Sequence, residues 1–174
     1  MRRLAILALV LVAAVLRTPA AARAEGSPIQ ISLFNPVQIV RADKSVSGLR
    51  IDLIYGKNAG MTGLDWGLVH HTTGSESALQ YGLVGLVEKD FTGWQDNAVS
   101  LTRGKFTGLQ TGAFTMSGEA NGVQLGWINV AKRANGIQLG IVNVTETMHG
   151  LQIGVANVIQ KNKIPILPIV NWSF

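Results

Sequence analysis

The chain of 174 residues contains no cysteine, which excludes disulfides, thiol catalysis and cysteine metal sites. Proline is scarce. Of five, Pro19 lies near the N-terminus; Pro28, Pro36, Pro165 and Pro168 sit at the two ends of the remainder, with none between. Charged residues make up 14% and aromatic residues 6%. The apolar run Leu4 to Leu16 is too short to cross a membrane as a helix, which takes about 20 residues.

That run follows a basic start, Met1-Arg2-Arg3, and precedes Ala22-Arg23-Ala24, an A-x-A cleavage site. Residues 1–24 therefore read as a secretory signal peptide, with Glu25 first in the mature chain and no cysteine there to carry a lipid. Arg2, Arg3, Arg17 and Arg23 leave with it, so 11 basic residues face 10 acidic ones and the mature net charge is +1. The calculated pI of 9.9 describes the leader, and nucleic acid is not an expected partner. Residues 25–174 are expected to form a single domain.

What the chain has in abundance is one phrase. GVQLGWINV begins at Gly122, GIQLGIVNV at Gly136 and GLQIGVANV at Gly150, each 14 residues after the last. Looser copies spaced by 15 begin at Gly48, Gly63, Ala78, Gly93 and Gly108, a first copy at Pro28 and a last at Ile164. A fixed period means one supersecondary unit stacked many times. Numbering each copy from its first residue, positions 2 and 4 are mostly apolar and position 7 is apolar throughout, a period-two pattern that indicates strands. Position 5 is mostly Gly, with Asp52 and Asn97 among its exceptions, which predicts a corner with φ above zero. Positions 10 onward hold most of the charge and read as turns.

Position 3 is the chemical column: Gln80, Gln95, Gln110, Gln124, Gln138 and Gln152, preceded by Arg50 and Asp65. Stacked coils bring equivalent residues to about 4.8 Å, where amides hydrogen-bond up the stack and Arg50 meets Asp65 as an ion pair. Asn129, Asn143 and Asn157 at position 8 offer a second polar ladder. These nine amides are the candidate site residues, read as a structural ladder in preference to a flat binding face.

Two architectures accommodate the repeat: an all-β solenoid, β-roll-like, of about ten coils of 14–15 residues, or a ten-stranded antiparallel outer-membrane β-barrel. The terminal prolines favour the solenoid, whose two ends are open edges. The final Ile169-Val170-Asn171-Trp172-Ser173-Phe174 resembles the assembly signal of outer-membrane barrels and supports the second.

The adjacent residues His70-His71 point to opposite faces of a strand and read as solvated turn residues. Asp52, Asp65 and Asp96 occupy different columns and copies, without an acid–base pair. The tryptophans read as core or interface. No nucleophile elbow or phosphate-cradling loop is present, so neither an enzyme nor a cofactor or metal is expected.

The GLQIGVANV phrase with its PILPIVNWSF ending resembles a family of bacterial surface repeat proteins with no assigned activity. Ile137-Gln138-Leu139-Gly140 is similar to the head repeats of trimeric autotransporter adhesins, which implies a parallel β-roll. The resemblance implies an exported envelope protein of a Gram-negative bacterium, at the cell surface, in the outer membrane or in the periplasm. Its expected role is structural or adhesive, with surface polymers or further copies of itself as partners. The barrel alternative would make it a pore or anchor in contact with the outer membrane.

Overall fold

A computed structural model describes residues 26–174; the leader expected over residues 1–24 lies outside them. Strands make up 83% of the described residues, which include no helix, and wind as a β-solenoid of about eight turns. The elements are β1 (Ser27–Phe34), β2 (Val37–Gln38), β3 (Ser45–Asn58), β4 (Gly60–Thr72), β5 (Glu76–Val87), β6 (Phe91–Leu139), β7 (Val142–Ile159) and β8 (Ile166–Ser173). β1 pairs in parallel with β3, from β3 to β7 each element pairs in parallel with the next, and β6 runs through several coils without interruption. Pairing follows the repeat: Gly48 faces Gly63 and Leu64 faces Leu79, while Gly136 faces Gly150 at the shorter period. Parallel register replaces the antiparallel barrel alternative.

Three expectations are corrected. The copy beginning at Ile164 does not form a tenth coil: β8 folds back antiparallel on β7, setting Trp172 opposite Leu151 and Asn171 opposite Gln152. At the other end β2 is antiparallel to β1. Both open ends thus carry a reversed strand near the prolines, which cannot donate to a further ladder.

The positive φ falls at position 1, with Gly112 the one position-5 glycine that shares it: Gly63 has φ 121°, Gly108 127° and Gly136 135°. Position 5 is small for another reason. A Cβ on Gly140 would lie 2.1 Å from the Gly126 carbonyl oxygen and 2.6 Å from Asn129 Nδ2, so the preceding coil and the Asn ladder leave no room.

The third correction concerns position 10, expected in a turn: Thr102, Ser117 and Thr145 lie within strands and are buried, and the structure also decides the sidedness that the alternation left open. Positions 3, 5, 8 and 10 point inward, and they carry mostly Gln, Gly, Asn, Ser and Thr, with Val87, Ala131 and Ile159 at position 10. The apolar positions 2, 4, 6 and 7 point outward: Leu64, Trp66 and Leu68 are each about half exposed, and Trp127 is 68% exposed. The tryptophans are therefore surface residues. The apolar part of the interior is a narrow strip beside the position-1 corner, including Met61, Phe91, Phe106 and Met148, with Phe91 stacked on Phe106 at 5.7 Å.

Candidate functional site

The coil is too narrow to enclose a broad apolar core, and its interior is held by amides. Gln95 Nε2 donates to Gln80 Oε1 at 3.0 Å, Gln110 to Gln95 and Gln124 to Gln110 at 2.8 Å. Gln138 donates to Gln124, and Gln152 to Gln138, both at 2.7 Å. The Asn ladder runs the other way: Asn129 Nδ2 donates to Asn143 Oδ1, and Asn143 to Asn157, at 2.8 Å each. Aligned amide bonds polarise one another, and opposed directions let the dipoles of the two ladders offset. All nine amides are buried, so no flat face of exposed Gln or Asn exists among them.

The donor end of the Gln ladder meets negative charge. Gln80 Nε2 donates to Asp65 Oδ2 at 3.1 Å and to Glu76 Oε1 at 2.8 Å. These carboxylates belong to a sealed cluster of Arg50, Asp52, Asp65, His70 and Glu76, each 2% exposed or less. Arg50 Nε donates to Asp65 Oδ1 at 2.7 Å and Nη2 to Asp65 Oδ2 at 2.5 Å, a two-pronged contact. Nη1 donates to Thr72 Oγ1 at 3.1 Å, and that hydroxyl donates to Glu76 Oε2 at 2.6 Å. Ser32 Oγ donates to Asp52 Oδ1 at 2.7 Å.

His70 faces acceptors on both sides of its ring. Nδ1 lies 3.0 Å from Asp52 Oδ2 and 2.9 Å from Asp65 Oδ1, and Nε2 lies 3.1 Å from the Tyr81 carbonyl. Only the doubly protonated imidazolium satisfies this arrangement. Burial opposes its charge, but hydrogen bonds to Asp52 and Asp65 win and lift its pKa to about 10. Burial also tends to raise Asp65; the Arg50 charge and hydrogen bonds overcome it and hold that carboxyl well below the ordinary range. Glu76 goes the other way, because burial and the Asp65 charge outweigh Arg50 and push it to about 8. At neutral pH the Arg50 and His70 cations therefore flank the Asp65 carboxylate beside a protonated Glu76.

The donor atoms of Asp52, Asp65 and His70 lie within 4.8 Å of one another, a spacing suited to a metal ion. Here Arg50 already supplies the positive charge, and His70 presents protonated nitrogens in place of a lone pair. The arrangement is a buried knot of mutually paired charges.

Two sequence expectations change at this point. His70 and His71 both lie in β4: His70 is interior, while His71 Nε2 sits 2.8 Å from Glu88 Oε1 and Nδ1 2.8 Å from the Tyr55 hydroxyl. Asp52 and Asp65, expected apart, share Arg50 and His70. The readable signal was that each member departs from its own column in consecutive copies: Arg50 and Asp65 from Gln, Asp52 from Gly, and His70 from the small polar residues.

The cluster makes stability depend on pH. His70 and Glu76 both bind their proton more tightly folded than unfolded. Their contribution is full below the ordinary values of 6.5 and 4.5, and is lost as pH rises through about 10 and about 8. Urea unfolding is expected to show stability falling between pH 5 and pH 10, with Glu76→Gln flattening the slope below pH 8. Equal midpoints across this range would contradict the charge assignment.

On the outside, Leu64, Trp66, Leu79, Tyr81 and Trp94 line a shallow groove of about 290 Å³, with Asp96 at its border. Trp94 Nε1 donates to Thr111 Oγ1 at 3.2 Å, and Thr111 in turn donates to Asp96. The groove is almost wholly apolar and offers contact area more than polar recognition. No protein-family model, curated protein or solved structure matches the chain.

Proposed function

We propose that this chain is an exported repeat module of a bacterial envelope with a structural or adhesive role and no catalytic one, and that its working part is its outer surface. The observation that carries the reading is the inverted sidedness. The Gln and Asn ladders and the Arg50 cluster are sealed inside and hydrogen-bonded, while most of the large apolar residues face outward. An apolar exterior of this extent marks a surface that is covered in use. Stacked parallel coils hold such a surface rigid along the whole axis.

The test is cell fractionation of the full chain bearing a C-terminal epitope. The expected result is a product shortened by about 24 residues in the envelope or periplasmic fraction. Full-length protein confined to the cytosol would overturn the reading.

A further inference from the structure

The outward apolar residues are not spread evenly around the coil. Positions 6 and 7 are adjacent and both face outward, because the chain turns a corner there and the parallel pairing lapses at Leu68 and Leu83. The result is a continuous edge. Leu68 is 50% exposed, Leu83 53%, Trp127 68%, Ile141 51% and Val155 73%. From β1 to β7 neither position carries a charged residue.

The opposite edge is formed by positions 11 to 13 and the hairpin before β3, and the charge is concentrated there or next to it. Setting aside the interior, residues 1–25 and Asp96, ten basic side chains face five acidic ones, an excess of five positive charges. The acids are already engaged: Glu119 with Arg133 and Lys105, Glu146 with Lys161, Glu88 with His71, Asp43 with Arg41. Asp90 accepts from the Lys105 backbone N–H. Lys89, Arg103 and Lys132 are exposed on the same rim.

An uncharged apolar edge on one side and a basic rim on the other is the cross-section of a body lying in a membrane surface. We propose that the position 6–7 edge is a keel immersed in one leaflet of a lipid bilayer, with the basic rim at the level of anionic headgroups. This rests on the reading that the outer surface is the working part.

The dimensions agree. Five residues from position 1 to the corner span about 17 Å, close to half of a hydrocarbon core roughly 30 Å thick. About eight turns give a keel roughly 38 Å long. In the later coils the corner backbone is bonded from coil to coil, the Ile141 N–H donating to the Trp127 carbonyl and the Ala156 N–H to the Ile141 carbonyl, both at 2.9 Å, and a reversed strand pairs with β1 and with β7 at the two ends. The flank is less uniform than the keel. Asp96 and Thr111 interrupt position 4, two residues short of the keel, where the Thr111 hydroxyl donates to the Asp96 carboxylate.

The experiment is flotation of the purified full chain with phosphatidylcholine vesicles, with and without phosphatidylglycerol. Depth-dependent quenching by brominated lipid is read from a form retaining only Trp127. The expected result is flotation that strengthens with phosphatidylglycerol, weakens in high salt, and places Trp127 below the headgroups. Leu68→Glu, Leu83→Glu and Ile141→Glu combined should lower partitioning about tenfold or more with an unchanged β circular dichroism spectrum. Lys89→Glu, Arg103→Glu and Lys132→Glu combined should remove only the dependence on phosphatidylglycerol.

Protein that stays with the soluble fraction overturns the proposal, as does a discrete oligomer that no longer floats and that the keel substitutions dissociate; the latter assigns the edge to self-association. Absent flotation with correct export removes the lipid and leaves the surface-module reading standing. Flotation of a protein that remains cytosolic does the reverse.

Discussion

Arg50→Met is expected to destabilise the solenoid by about 3–5 kcal/mol, the range for stranding one partner of a buried ion pair. The guanidinium is fully buried, and it contacts Asp52, Asp65 and Glu76 at once. Methionine fills much of the volume but removes the charge, leaving two carboxylates with only His70 between them. One of them must then take up a proton or admit water, and Gln80 loses the fixed acceptor at the end of its ladder.

The control is Arg50→Gln combined with Asp65→Gln. This pair carries the Gln column on towards Gln30 and removes one charge of each sign, leaving His70 paired with Asp52. The double variant is expected to recover most of the loss, a large coupling in a double-mutant cycle. Additive losses would mean that Arg50 acts through its bulk and that charge pairing is incidental.

Gly136→Ala is expected to cost about 3–4 kcal/mol, summing backbone strain and overpacking. Gly136 has φ 135°, and a Cβ there would lie 2.1 Å from the Gly122 carbonyl oxygen and 3.0 Å from its carbon. Those atoms are backbone within the stack, held by the coil beneath, so they have little freedom to withdraw. The single alanine in this column, Ala78, is not among the residues with positive φ, so that rung takes a different path. Gly60→Ala supplies the contrast: its nearest neighbour would be the Ser45 hydroxyl at 3.0 Å, a side chain able to move. Urea unfolding of the two variants side by side should separate them by at least about 2 kcal/mol. Equal losses would show that position 1 is small for reasons other than φ and the carbonyl below.

The repeat by itself determined that the chain stacks one short β unit many times, and it placed Gln above Gln and Arg50 beside Asp65. Those statements need only a period and the spacing of parallel strands, both of which are local. The alternation also sorted each unit into two sets of residues, Gln138 with Asn143 and Ile137 with Leu139. It could not say which set is inside. Period two has no sign, and the usual preference for burying apolar groups points the wrong way when a 14-residue coil encloses so little volume.

Tertiary structure decided that sign, because amides bonded along the axis satisfy one another inside the coil, and the apolar interior is confined to a strip with Met61, Phe91 and Phe106. It also decided the convergence of Asp52, Asp65, His70 and Glu76. They lie as much as 24 residues apart in sequence and become neighbours only once the register of successive coils is set. The ends followed the same rule. Ile164–Phe174 repeats the pattern of the other copies, yet its strand reverses and pairs antiparallel with β7. Local patterning specifies what each unit is, and the way units share an interior specifies what faces the world.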